Sequence, residues 1–336
     1  MNPAQVPSYA QKPKRSNGCL ITSIILLLIL AAGIGGFILV YSHFLSGKSS
    51  NSSANNGSSS NNNGSSPSGV NTPVPTVSST EQLNLSVVYA SVKITFQSVK
   101  EAQSFPDDTG SGQGAIVRVN LQENNTTTGN PDYLEGDAML LVLADGNTVT
   151  SSNQQNEISP DAGVNRANWV DFQLSQQVTL NQLTLRLGTA KQSQMDIPLK
   201  PGADLSKYQD KTVSPNSTFQ YSGLAWTLKT ATLSYSYADQ AATTGNSYVI
   251  ITLAAVNSST NDFENSPGDY IRLQAGGTSS EPDDTVTFPI SVPAATNASG
   301  VFAFLVPQGN TSFTLVMLAQ NSSPAVPQVT QAFQIQ

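Results

Sequence analysis

The chain has 336 residues, 38% hydrophobic and only 11% charged, with a net charge of −7. An acidic balance argues against nucleic acid as a partner, because phosphate backbones call for basic side chains. One cysteine and one histidine exclude a disulfide framework and leave few catalytic or zinc chemistries open.

In chain order, residues 1–18 hold Pro3, Pro7, Pro13 and Tyr9 among polar neighbours and read as a disordered cytoplasmic tail. A proline-recognising partner is the rival reading for that tail. Residues 19–41 follow as an expected transmembrane helix, whose apolar run opens at Leu20 and closes at Tyr41 inside a gap from Arg15 to Lys48 that has no charged residue. At about 1.5 Å per residue this run extends roughly 33 Å, enough to cross a hydrocarbon core, so the lipid bilayer is the first expected partner. Lys12, Lys14 and Arg15 precede the run and only Lys48 follows closely, which orients the N-terminus to the cytoplasm and everything later to the outside. A cleaved signal peptide is the alternative, but residues 41–46 offer no small-residue cleavage site. Cys19 lies before the apolar run rather than after it, which does not fit a lipoprotein signal; a juxtamembrane thiol, bare or palmitoylated, remains.

Residues 46–80 are low-complexity Ser, Asn and Gly ending in Pro73 and Pro75. Such a composition cannot bury a core and acts as a flexible stalk with a reach of roughly 30 to 35 Å. Beyond Ser49 lie 11 of the 15 basic residues and all 22 acidic ones, so the expected exterior is strongly negative. It has no cysteine, its stability must come from packing, and a prokaryotic envelope is the better setting. Eleven N-x-S/T sequons, including Asn84, Asn124, Asn216, Asn257 and Asn310, carry little weight in so Asn- and Ser-rich a chain.

From Leu83 the pattern becomes strict alternation, the mark of half-buried strands, and no long amphipathic helix appears. It recurs 132 residues later: Val87, Tyr89, Val92, Ile94 and Phe96 match Phe219, Tyr221, Leu224, Trp226 and Leu228. Val117, Val119, Leu121 and Asn125 match Val249, Ile251, Leu253 and Asn257, and Gly136, Asp137, Met139 and Leu141 match Gly268, Asp269, Ile271 and Leu273. The separation then shortens to 130, pairing Phe172, Leu174, Leu183, Leu185 and Leu187 with Phe302, Phe304, Phe313, Leu315 and Met317. The expectation is an all-β chain: two tandem antiparallel β-sandwiches, residues 83–200 and 212–336, behind one membrane helix and a disordered linker.

Tyr248-Val249-Ile250-Ile251-Thr252-Leu253 with Asn257-Ser258, the run from Gly300 to Pro307, and Phe313-Thr314-Leu315 resemble the telokin-like, immunoglobulin-like bacterial domains of unknown function. Those domains follow a lipoprotein signal or a single membrane span and a low-complexity linker. The first copy departs from the pattern, because Trp169 to Leu174 lacks the glycine and the terminal proline. The resemblance implies an immunoglobulin-like fold and brings no catalytic residues with it.

The single histidine, His43, lies against the expected membrane, so imidazole-based triads, cysteine nucleophiles and His/Cys zinc sites are unavailable to the folded part. Candidate acids for hydrolysing a glycosidic bond are Asp107 with Asp108, Asp262 with Glu264, and Glu281 with Asp283 and Asp284. A calcium site at Asp262, Glu264 and Asp269 is the alternative reading. All read as solvated loop acids, and no catalytic, cofactor or metal residue is assigned. Gly136-Asp137 and Gly268-Asp269 read as turns entering a strand. Tyr235, Tyr237 and Phe263 form either an exposed contact patch or core, and Trp169 and Trp226 read as core. Differences in function belong where the copies diverge, residues 144–168 and 276–298. The expected function is a membrane-anchored extracytoplasmic binding module, not an enzyme, that engages a protein or glycan. A structural spacer of an envelope assembly is the alternative, and a carboxylate glycosidase the remote one.

Overall fold

Alternating residues place every second side chain on one side of a strand, and the fold follows from pairing such strands. The computed structural model describes residues 77–107, 114–131, 133–321 and 325–336. The expected tail, the Leu20 to Tyr41 run and nearly all of the stalk lie outside them. Among the described residues no helix is long and apolar enough to cross a membrane. The chain divides into the units Met1–Val70 and Asn71–Gln336, and both copies fall in the second.

That second unit is almost entirely antiparallel β-structure. Its first half contains β1 (Val77–Tyr89), β2 (Val92–Ala102), β3 (Ala115–Asn124), β4 (Met139–Val142), β5 (Thr148–Thr150), β6 (Asn153–Gln154), β7 (Asn165–Leu174), β8 (Thr184–Leu187) and β9 (Met195–Pro198). They form two sheets, ordered β1-β2-β3-β7-β6 and β5-β4-β8-β9. Val87, Ile94, Val117 and Phe172 of the first sheet and Leu141, Leu185 and Ile197 of the second share one buried cluster. Leu205 and Tyr208, from the stretch between the copies, join that same cluster.

The second half contains β10 (Lys211–Val213), β11 (Ser217–Tyr221), β12 (Leu224–Ser234), β13 (Ser236–Tyr237), β14 (Gln240–Ala241), β15 (Asn246–Val256), β16 (Phe263–Glu264), β17 (Ile271–Ala275), β18 (Thr278–Ser280), β19 (Ser291–Val292), β20 (Asn297–Pro307), β21 (Ser312–Met317) and β22 (Val329–Gln334). Its main sheets are β10-β12-β15-β20, with β11 also on β12, and β18-β17-β21-β22. A separate cluster around Trp226, Ile251, Leu273, Phe304 and Leu315 lies between them.

The central ladders of the two halves, β1-β2-β3-β7 and β11-β12-β15-β20, correspond in register, while the edge pairings differ. Tyr89 pairs with Val92 as Tyr221 pairs with Leu224, and an irregularity after Phe96 reappears after Leu228. The helical turn Glu135–Ala138 before β4 is matched by Pro267–Tyr270 before β17, so the two Gly-Asp pairs occupy helical turns. The shortened separation enters later than the sequence pattern indicates. Val117 pairs with Phe172, and Val249 pairs with Phe304, so Phe172 corresponds to Phe304 and not to Phe302. Met139 opposite Leu187 and Ile271 opposite Met317 place the two-residue deletion between β7 and β8. Alternation hides such an error, because a shift of two keeps every side chain on its own face.

One asparagine does the same work twice. Asn125 is buried; its Nδ2 donates to the carbonyls of Gly129 and Pro160, and its Oδ1 accepts from Thr127 N and Oγ1. Asn257 is equally buried, donating to Asn261 O and Val292 O and accepting from Ser259 N and Oγ. Carbonyls that leave a ladder must find another donor, and this amide supplies it in each half. The sequon at Asn257 is therefore a structural motif.

Candidate functional site

The copies share their ladders, so chemistry peculiar to one of them appears where polar residues replace apolar ones. Two such places lie in the first half. On the inward face of β3, Val117, Val119 and Leu121 are followed by Glu123, which is wholly buried, as is Glu135 in the helical turn. Arg166 on β7 donates through Nε to Glu123 Oε2 at 2.7 Å, and its Nη2 lies 3.6 Å from Glu135 Oε1 and donates to Ile158 O. Asn168 Nδ2 donates to Glu123 at 3.2 Å and Tyr133 OH does so at 3.4 Å.

Neither oxygen of Glu135 has a hydrogen-bond partner, and its carboxyl and that of Glu123 both face the Arg166 guanidinium. Two ionised carboxylates beside a single guanidinium in a buried place repel each other, which raises one of them. Burial, then the hydrogen bond and the charge of Glu123, push Glu135 up to about 10, against the opposing pull of Arg166. That shift favours the protonated form of Glu135 at neutral pH. Burial first, and then the neighbouring acids, also raise Tyr133, while Tyr89 is pushed up to about 12 by its burial. In the second half the corresponding positions are Ala255, Pro267, Ala298 and Gly300. There the core is aromatic, with Trp226 stacked on Phe288 at 5.1 Å and packed edgewise against Phe263 at 6.0 Å.

The second place is the outer face of the β3 and β7 ladder. Arg118 and Asp171 are direct cross-strand partners, and the guanidinium grips the carboxylate through Nε at 2.7 Å and Nη2 at 2.8 Å. Phe105 and Trp169 sandwich it at 4.0 and 3.7 Å, and Asp107 caps it at 2.8 Å. Hydrogen bonding to Arg118 holds Asp107 below the usual carboxylate range. Trp169, out of phase with the inward Val170, Phe172 and Leu174, thus serves the outer face and is not the core residue expected, whereas Trp226 is core. At the matching positions the second half has Ile250, Ala303 and Val301, and Ala303 packs in an apolar cluster with Ala242 and Tyr248.

The remaining acids act singly. Asp108 lies outside the described residues. Asp262 accepts from Ala294 N, Asp283 accepts from Thr285, and Glu281 pairs with Arg272 at 2.7 Å. Glu264, Asp269 and Asp284 are exposed. Among the described residues no three His, Cys, Asp or Glu side chains converge as a metal site would require. An open groove of about 540 Å³ runs past Asp262, Phe263, Glu264 and Val326, and another of about 460 Å³ past Asp137, Ser151 and Gln154.

The aromatic trio divides. Phe263 is core; Tyr237 packs on Tyr248 and donates to Thr285 O; Tyr235 leaves its own half and packs against the first core, 5.4 Å from Tyr208. Around it the halves are hydrogen-bonded together. Ser193 N donates to Ala242 O, Ser193 Oγ donates to Thr243 O and Asn246 O, and Thr244 N donates to Lys191 O. Sequence reading missed Glu123, Glu135 and Arg166, although an acid at the end of an inward-facing apolar run, absent from the other copy, was a usable signal.

No protein-family model and no curated protein sequence matches the chain. Among solved structures it is similar to a functionally unknown protein from Listeria monocytogenes EGD-e, at a TM-score of 0.30 and 14% identity over 40% of this chain and 89% of that one. A conserved domain protein from Bacillus anthracis is similar at a TM-score of 0.24 and 7% identity over 76% of this chain and 90% of that one. Likenesses this slight assign neither fold family nor activity.

Proposed function

We propose that the chain is a membrane-anchored extracytoplasmic binding protein. Leu20 to Tyr41 holds it in the bilayer, residues 46–80 act as a stalk, and two immunoglobulin-like domains present their loops to a protein or glycan. The observation carrying this reading is the order of parts: a charge-free apolar run, a low-complexity stretch, then an all-β body whose halves share ladder registers. Two sheets around one core in each half support the immunoglobulin-like description. The strong negative charge beyond Ser49 favours partners other than nucleic acid. Loops at the ends of such a body usually carry its contacts.

The test has two stages on the full-length chain. Alkaline extraction of membranes should leave it in the pellet, and protease added to intact cells should remove the β body; recovery of the chain in the soluble fraction ends the anchor reading. Photo-crosslinkers placed in residues 144–152 and 276–284 should then capture a defined envelope or extracellular component. The hydrogen-bonded joint between the halves favours a second reading, a spacer of fixed geometry. If an unrelated rigid domain replaces the second half and the phenotype survives, the spacer stands and recognition by that half falls.

A further inference from the structure

The buried acids of the first half fit a device that the binding role does not use. We infer that Glu123, Glu135 and Arg166 form a proton-locked latch, in which one proton shared by two carboxyls clamps the turn Glu135–Ala138 to β3 and β7. Every element around the pair bears on this. Strand β3 contributes Glu123, β7 contributes Arg166 and Asn168, the approach to the turn contributes Tyr133, and Tyr89 at the end of β1 stands behind Tyr133 at 5.0 Å between ring centres. From the facing loop, Glu157 supplies only its carbonyl, which accepts from Glu135 N at 2.9 Å, while its side chain is exposed.

Charge parity makes the proton necessary. One guanidinium neutralises one carboxylate, and a second buried negative charge with no donor cannot be tolerated. Once that proton leaves, the turn must open to hydrate Glu135. The bonds that tie it down are Glu135 N to Glu157 O, Ser159 N to Tyr133 O, and Gly188 N to Ala138 O. Tyr89 donates to Gln192 at 2.7 Å, and Gln192 bridges Thr243 of the second half. The latch thus sits one aromatic layer from the joint between the halves.

The closed form holds a proton that the open form releases at neutral pH. The opening constant therefore rises as pH rises between the ordinary glutamate value near 4.5 and the raised value near 10, about tenfold per pH unit. The raised tyrosines act only above about pH 10, so a window from pH 6 to 9 isolates the latch. Hydrogen exchange on the full-length chain should show protection factors at Glu135, Ser159 and Gly188 falling about tenfold per unit across that window. Glu135→Gln keeps a donor toward Glu123 without a proton to lose, and its protection should be flat. Glu123→Gln leaves one acid for one guanidinium and should be flat too. An infrared difference spectrum of wild type against Glu135→Gln should contain a protonated-carboxyl band at pH 7. A wild type with pH-independent protection, a slope that persists in Glu135→Gln, or absence of that band overturns the latch.

Discussion

Arg118 allows a prediction in which the protein supplies its own control. Its guanidinium is sandwiched by Phe105 and Trp169 and pairs with Asp171, whose side chain is 2% exposed. Arg118→Ile deprives that carboxylate of its guanidinium inside a covered ladder, and breaking a buried pair from one side costs about 3–5 kcal/mol. The second half has Ile250 and Ala303 at the same two ladder positions, so the fold accepts the apolar pair. Arg118→Ile with Asp171→Ala should therefore cost only about 1–2 kcal/mol, chiefly the two lost cation-to-ring contacts. Adding Asp171→Ala to Arg118→Ile should therefore recover about 1–4 kcal/mol, the difference of those estimates. Urea denaturation measures it, with hydrogen exchange at β3 and β7 locating the change in the first half. Each kcal/mol corresponds to about 2–4 °C of melting temperature for a body of this size. A single variant no less stable than the double variant would refute the claim that Arg118 chiefly neutralises a buried acid.

Asn257→Ala removes an amide that satisfies the buried carbonyl of Val292 and the partly buried one of Asn261; about 1–3 kcal/mol of stability should be lost in thermal unfolding, and Asn125→Ala should behave alike. Ser91 lies at φ 64° in a two-residue turn after Ala90 at φ 46°, where the other half has Gly223 at φ 78°. Copying that glycine, as Ser91→Gly, should stabilise by up to about 1 kcal/mol, read as a higher denaturation midpoint. A β-carbon on Gly300 would lie 2.4 Å from Phe288 Cα, so Gly300→Ala should displace the aromatic core and cost at least about 3 kcal/mol, while Gly309→Ala, with open space around it, costs only its backbone strain of about 1 kcal/mol.

Much of the β-structure was legible because alternation is a local signal and a repeat states it twice. Leu85, Ile94, Val119 and their partners face inward as their spacing requires. The two-residue slip was misplaced because period-two patterns are blind to it. Contacts set by distant chain segments were not legible: nothing near Tyr235 indicates that Tyr208 receives it, and although Trp169 lies out of phase with the inward Val170, Phe172 and Leu174, nothing near it indicates that Arg118 stacks on it. The acid pair was missed for a related reason. Strand position places Glu123 inward, but only the fold brings Glu135 to the same guanidinium. The first copy departs from the Gly300 to Pro307 pattern because its β7 carries Arg166, Asn168, Trp169 and Asp171 for the two polar clusters described above.

The joint built by residues 189–193 and 242–246 decides how any dissection of this body must be made. Ser193 is 3% exposed and its hydroxyl donates to two carbonyls of the opposite half. Cutting the chain after Leu199 strips away those acceptors and removes Leu205 and Tyr208, which complete the first core. A truncated first half would thus fail for reasons unrelated to any ligand. Grafts meant to separate reach from recognition should retain the hairpin spanning residues 234–246 as a lid on the first half, and exchange only what lies beyond it.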